Sequence, residues 1–516
     1  MMPDTICRRP LQSLVILLAI FALHTAFAAP DTPVFNVQTS NELTSRVVTL
    51  ARGVALGEKA KLSVFVQRMD NGEILVNLDG ERPLKPASNH KLFTTAAGLA
   101  LLGPDYTWKT DVAINGEIVN GVLDGDLIVI GRGDPAIGGR FHPTDSRDLT
   151  YIFRDWAARL RESGIRQIRG EIIGDDDYFD DVFFGANWYP DERAEWYCAE
   201  VSALSFNDNC IDIQWKGGRS AGNSPSFTLN PPTSYCRINN MVKTVPERVA
   251  EASLTYHREE RSNIIRAEGT IPARKEKYDY AAIHNPTLFT VTVLRETLQR
   301  EGIKVIGQAR DIDDLTTKAL VREGQKVLFT HESPPLIRIV EVINRNSQNL
   351  YAELLLRTLG RIESETGGFE SGCRMVENYL AQNRLHRYGF CCVDGSGLSY
   401  LNRTCARMLV DLLMYMDGSI HRTQFLDSLP RGGERGTLRA RFKTNERTRA
   451  LAPNIYGKTG YIGGVHTLSG YIVLPDSRQV AYAILLNDFA IPNDPARLLV
   501  DEIAVEIAGY APDEHP

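Results

Sequence analysis

The chain has 516 residues, 43% of them hydrophobic, and a formal net charge of -6. That length holds two or three domains with a large core, and the mild acidity argues against a basic nucleic-acid surface. Past the N-terminus no stretch is apolar for long enough to span a bilayer.

At the N-terminus, Arg8 and Arg9 precede an apolar run over residues 14–23, and Ala26-Phe27-Ala28 offers a small-x-small cleavage site. Residues 1–28 are therefore expected to be a secretory signal peptide, too short and wrongly flanked for a stable span. The paired arginines admit the twin-arginine route; the general route is the expectation. An exported, soluble protein follows. Eight cysteines suit an oxidising compartment. Cys7 leaves with the signal. Cys198, Cys210 and Cys236 then cluster mid-chain, and Cys373, Cys391, Cys392 and Cys405 cluster late. A Cys198–Cys210 bridge is expected, although spacing alone does not set pairing. There is no paired CxxC and no histidine pair at ligand spacing, so no metal is expected.

In chain order, residues 43–56 read as an amphipathic helix. Residues 61–67 alternate like a strand, Asn71-Gly72 signals a hairpin turn, and residues 74–78 return as a second strand. Pro86 then opens a helix rich in alanine and leucine through Leu102. From about Trp108 short strands are expected at 111–114, 116–122 and 126–130. Gly131-Arg132-Gly133-Asp134-Pro135 follows. Its Arg-Gly-Asp triplet reads as a turn rather than an adhesion motif, and no Gly-Lys-Ser/Thr follows to make a phosphate loop. A helix is expected at 149–162 and a strand at 168–173, running into the acidic Asp175-Asp176-Asp177. Residues 178–270 are loop-rich and strand-rich, and 288–301 form a helix. Helical character returns at Pro334-Pro335, with helices at 336–344 and 350–359. A glycine-rich turn follows, Asp394-Gly395-Ser396-Gly397-Leu398-Ser399, and then a helix at 407–416. Strands at 456–461, 467–474 and 480–486 and a closing helix at 495–508 complete an α+β layout with antiparallel strands, split by the mainly β stretch 108–333.

Three short motifs carry chemistry. Ser88 and Lys91 stand at i and i+3 at the start of the helix after Pro86, on one face. A lysine amine there can reach the hydroxyl, and a lowered pKa lets it take the hydroxyl proton. Ser347-Gln348-Asn349 lies in the turn between two helices, and Lys458-Thr459-Gly460 lies on a strand before Tyr461. Each alone is an ordinary helix start, turn or strand end. In this order and context they form the signature of penicillin-binding proteins and serine β-lactamases. Ser88 attacks a carbonyl carbon with Lys91 as base. Ser347 relays a proton to the leaving amine, and Asn349 holds the substrate amide. Lys458 supplies positive charge, and Thr459 a hydroxyl, to a substrate carboxylate. Gly460 lets the substrate lie close along the strand. The backbone N–H groups of Ser88 and Tyr461 are the natural oxyanion donors.

The stretch from Pro86 to Tyr106, with Ser-Asn-His-Lys-Leu-Phe-Thr-Thr-Ala-Ala and then Leu-Leu-Gly-Pro-Asp-Tyr, resembles the D-alanyl-D-alanine carboxypeptidase/endopeptidase family of class C low-molecular-mass penicillin-binding proteins. So do Asp126-Leu127 before the Gly131 turn, Ala203-Leu204-Ser205, Asn285-Pro286 and the Asp394 turn. The resemblance spans nearly the whole mature chain. It implies a split transpeptidase-like domain, residues 29–107 plus 334–516. The insertion at 108–333 then forms one or two extra domains, the inner one about 176–270. It implies a periplasmic enzyme without cofactor, acting on the stem peptides of peptidoglycan at D-Ala-D-Ala ends or D-amino-acid cross-links. β-Lactam antibiotics are the implied covalent inhibitors. Asp175 becomes a candidate contact for the free amine of a diaminopimelate side chain, with a solvated acidic loop as the plainer reading.

Two rivals stand beside this reading. A β-lactamase or esterase on the same scaffold needs fast deacylation, and nothing here resembles the acidic deacylation motif of the commonest β-lactamases. A non-catalytic wall-binding protein has no need of an activated serine. The balance of carboxypeptidase and endopeptidase activity, the oligomeric state and any protein partners stay open.

Overall fold

The structure is a computed structural model that describes residues 36–511 except 40, 146, 250, 317 and 388. The expected signal peptide lies outside the described residues.

The body that carries the three motifs is built on a five-stranded antiparallel sheet. Its strands are β1 (Lys61–Arg68), β2 (Ile74–Leu78), β3 (Ile455–Ile462), β4 (Val465–Val473) and β5 (Gln479–Asn487), in the order β3-β4-β5-β1-β2. Lys61 pairs with Asn487 and Arg68 with Val480, so the two ends of the chain close one sheet. The strand period of two sorts its side chains. On β5, Ala481, Ala483 and Leu485 face one core, while Val480, Tyr482, Ile484 and Leu486 face another.

Helices cover both faces: α1 (Glu42–Arg52), α2 (Lys91–Leu102), α3 (Leu336–Arg345), α4 (Asn349–Gly360), α5 (Phe369–Gln382), α6 (Ala406–Asp417) and α7 (Asn493–Ala508). α1 and α7 pack together on one face; α2 and α6 lie on the other. Asn41 caps α1, its side chain accepting from Thr44 N at 2.8 Å. α2 is buried on every side from Lys91 to Leu99, as a helix apolar all round must be. It packs against α3, α4 and α5. Burying Leu92, Phe93 and Leu99 there stabilises the fold by ~1.5–3 kcal/mol each relative to exposure.

Between β2 and α3 the chain forms other sheets. A seven-stranded sheet is flanked by helices Tyr151–Glu162 and Pro286–Arg300, and sheets of four and three strands draw all their strands from Cys210–Lys216 through Glu276–Ala282. The expected strands at 111–114 and 116–122 are one strand, Lys109–Val119, paired with Val122–Ile130. Gly116 is not a turn. It sits opposite Gly125, and a Cβ on Gly116 would lie 2.7 Å from the Gly125 Cα. The glycine marks close backbone approach within a strand. The expected strand at 168–173 is two, Gln167–Ile168 and Ile172–Asp175. The expected Cys198–Cys210 bridge is absent: all seven described cysteines are free.

Candidate active site

Ser88 lies in one 3-10 turn, Ala87–His90, that runs directly into α2. Ala87 is left-handed, φ 46°, a backbone an L-residue keeps only when its surroundings impose it. Here the surroundings are bonds to the sheet. Pro86 O accepts from Thr467 Oγ1 at 2.9 Å. Asn89 Nδ2 donates to Lys458 O at 2.7 Å, and Asn89 Oδ1 accepts from Ser469 Oγ at 2.5 Å. Asn89, which the sequence left without a role, thus locks the Ser88 turn to β3 and β4.

Lys91 is fully buried. Its Nζ is 2.9 Å from Ser88 Oγ, 2.7 Å from Asn349 Oδ1 and 2.7 Å from the Ser396 carbonyl. The last two groups only accept, so they engage two amine protons. Once the amine is neutral, its lone pair is left for the Ser88 hydroxyl. Burial drives that neutral form, pulling Lys91 down to about 7 against the attraction of Glu353 and Asp394. Glu353 is buried on α4 and accepts from Gly395 N at 2.7 Å and Ser396 N at 2.8 Å. It therefore holds the turn just ahead of the Ser396 carbonyl that orients Lys91. Burial pushes the Glu353 carboxyl up, while its two N–H donors and the Lys91 amine pull it back toward the charged form.

Ser347, at φ 60°, closes the turn between α3 and α4. Its Oγ accepts from Lys458 Nζ at 2.8 Å. Lys458 comes from β3, the edge strand of the sheet. Burial, with help from the Lys91 charge, holds Lys458 well below the usual lysine range. An anionic group beside it would favour its charged form. Thr459 Oγ1 donates to Thr437 Oγ1 at 2.8 Å, which adds a second hydroxyl beside the first. A Cβ on Gly460 would stand 2.1 Å from Thr467 Oγ1 and 3.0 Å from Ser88 N. Gly460 is thus needed for β3 to meet the Ser88 turn, a more immediate reason than room for substrate.

These residues open on a cleft of about 520 Å³ lined by Ser88, Ser347, Asn349, Thr437, Thr459 and Tyr461. The arrangement suits covalent acyl transfer to Ser88. A family model for the D-Ala-D-Ala carboxypeptidase 3 (S13) family matches residues 48–505. The chain belongs to this S13 family. It is a serine-type peptidase, a hydrolase. A D-alanyl-D-alanine carboxypeptidase from Actinomadura sp. (strain R39) is 30% identical over 474 residues, covering 89% of this chain and 83% of that protein. D-alanyl-D-alanine carboxypeptidase DacB from Haemophilus influenzae is 22% identical over 488 residues, covering 93% and 94%. The crystal structure of penicillin binding protein 4 (dacB) from H. influenzae superimposes with a TM-score of 0.75 at 21% identity, covering 91% of this chain and all of that one. That likeness shows the shared α+β fold.

In this S13 peptidase the segment around Glu192 to Tyr197 also reaches the cleft. Glu192, Trp196 and Tyr197 line it, and Asn349 Nδ2 donates to Tyr197 O at 2.7 Å. Arg357 of α4 holds that segment in place. Fully buried, it donates to the carbonyls of Val182 and Val201 at 3.2 and 3.1 Å. It also stacks on Phe179 and Phe369, 4.8 and 5.3 Å from the ring centres. No local pattern marks Glu192 or Arg357; only an acid and an arginine among many are visible in the sequence. Asp175 does not line the Ser88 cleft, which corrects the expectation for it. It ends the strand Ile172–Asp175 and pairs with Arg322 at 2.8 Å. Sheet pairing with the Val122–Ile130 strand turns it to that partner. Arg132 and Asp134 of the Arg-Gly-Asp triplet are likewise occupied, by Asp111 and by Ala136 N. His90 stacks on Phe390 in the core, and His466 stacks between Tyr461 and Phe489.

Proposed function

We propose that Ser88 is the nucleophile through which this enzyme cleaves D-Ala-D-Ala ends, D-amino-acid cross-links of peptidoglycan, or both. Neutral Lys91 takes the Ser88 proton as Oγ adds to the substrate carbonyl carbon. The N–H groups of Ser88 and Tyr461 receive the oxyanion, and each such donor is worth about 10²–10³ in rate. Lys458, Thr459 and Thr437 meet the terminal carboxylate, and Asn349 holds the penultimate amide. As the tetrahedral intermediate collapses, Ser347 passes a proton to the departing amine. Water then releases the acyl group from Ser88. A β-lactam ring follows the first half of this course and stops at the acyl-enzyme. Glu192, the acidic residue lining the cleft, replaces Asp175 as the group that meets a substrate ammonium. The run before Ala29 supports export to the periplasm.

One observation carries the reading: a buried lysine amine with two acceptors engaged and its third direction on Ser88 Oγ at 2.9 Å. The test is intact-mass spectrometry after mixing with a penicillin, followed over hours beside Ser88→Ala. A lasting adduct of one drug molecule, absent in Ser88→Ala, is expected. An adduct that vanishes as the drug is consumed would make the enzyme a β-lactamase. No adduct on folded protein would overturn the assignment of Ser88.

A further inference from the structure

Behind the catalytic turn, two sulfurs meet. Cys373 on α5 and Cys392 bring their Sγ atoms to 2.9 Å. Both are buried. Among the described residues, no other pair of cysteine sulfurs is in contact. Cys392 leads directly into the 394–399 turn, whose Ser396 carbonyl orients Lys91. Its Sγ also stands 3.3 Å from His90 Nε2, two residues beyond Ser88. The pair therefore joins α5, the Lys91-orienting turn and the back of the nucleophile's turn. Neither thiol has a task in the acyl transfer.

We propose that Cys373 and Cys392 are joined by a disulfide in the mature enzyme, tying α5 to the turn that holds Lys91. A disulfide needs its sulfurs at about 2.05 Å, so the side chains close by less than an ångström. The reaction is thiol–disulfide exchange with a small disulfide such as oxidised glutathione as oxidant. One cysteine thiolate attacks it and expels one glutathione thiolate. The second cysteine thiolate attacks the mixed disulfide and expels the other. Two thiols are oxidised, the reagent is reduced to two thiols, and the two cysteine protons pass through solvent to the expelled glutathione thiolates. Burial pushes the Cys392 thiol well up, so the folded pair ionises poorly. The bond therefore forms while the segment is still open during folding.

The experiment refolds the whole mature chain from denaturant with oxidised and reduced glutathione. Free thiols are then alkylated, and the protein is digested with trypsin without reductant. Cleavage after arginine places Cys373 in residues 362–374, and Cys391 with Cys392 in residues 388–403. These two peptides are expected as one cross-linked species, about 2 Da lighter than their sum, with the other five cysteines alkylated. The cross-link should persist in Cys391→Ser and vanish in Cys392→Ser. Recovery of both peptides alkylated at Cys373 and Cys392, from refolded wild-type protein that still binds penicillin, would overturn the proposal. So would a cross-link that survives Cys392→Ser.

Discussion

Replacing Glu353 by glutamine tests how far the base depends on a residue that never touches substrate. The carboxylate accepts two backbone N–H bonds, from Gly395 at 2.7 Å and Ser396 at 2.8 Å. An amide keeps one oxygen, and its NH₂ must face the other N–H. One charge-assisted bond is lost, worth ~1.5–3 kcal/mol. Ser396 also carries, in its next peptide unit, the carbonyl that holds Lys91 Nζ at 2.7 Å, so the loss reaches that lysine. At about 1.36 kcal/mol per factor of ten, acylation should slow about 10- to 100-fold. The negative charge that raises Lys91 also disappears, so the acidic limb of the rate profile should move to lower pH. The assay is stopped-flow acylation by a chromogenic β-lactam across pH, on protein shown to be folded by circular dichroism. A wild-type rate constant with an unmoved profile would refute the linkage from Glu353 through Ser396 to Lys91.

Other consequences follow from the same geometry. In the wild-type enzyme acylation should rise with pH through about 7, because burial has pulled Lys91 there and only the neutral amine accepts a proton; a flat profile from pH 5 to 9 would contradict this. Lys91→Arg keeps the charge but holds its proton, and should cost about 10²–10⁴ in acylation rate, as loss of a general base does. Gly460→Ala places a Cβ 3.0 Å from Ser88 N. It should lower acylation about 100-fold, the scale of a 1 Å misplacement, measured by the same assay; wild-type kinetics would show that the turn yields freely. Glu192→Gln should raise KM for a peptide with a free side-chain amine and spare its acetylated form. Asp175→Asn should change neither KM, since Asp175 is engaged by Arg322.

Much of the fold was legible because its signals are local. The alternation in Leu62, Val64 and Val66 places β1, and the apolar spacing of Leu336, Ile339, Val340 and Ile343 places α3. α5 was missed. Its Gly372 weakens helix propensity, yet it lets α5 cross α4 where a Cβ would meet Leu356 O at 2.3 Å. The same blindness turned Gly116 into a false strand break. A glycine chosen for close approach looks, in sequence, like one chosen for a turn.

For the site, the sequence alone put the candidate pair Ser88 and Lys91 side by side, since i and i+3 are neighbours on any helical turn. The tertiary structure alone decided the rest. Lys458 meets Ser347 across 111 positions. Glu353 reaches Ser396, Arg357 draws the 178–201 segment over the cleft, and Asp175 turns away to Arg322. Short-range geometry is set by the backbone's own period. Long-range meetings are set by which faces the whole chain buries together, and the lysine's lowered pKa, the property the chemistry needs, exists only after that burial.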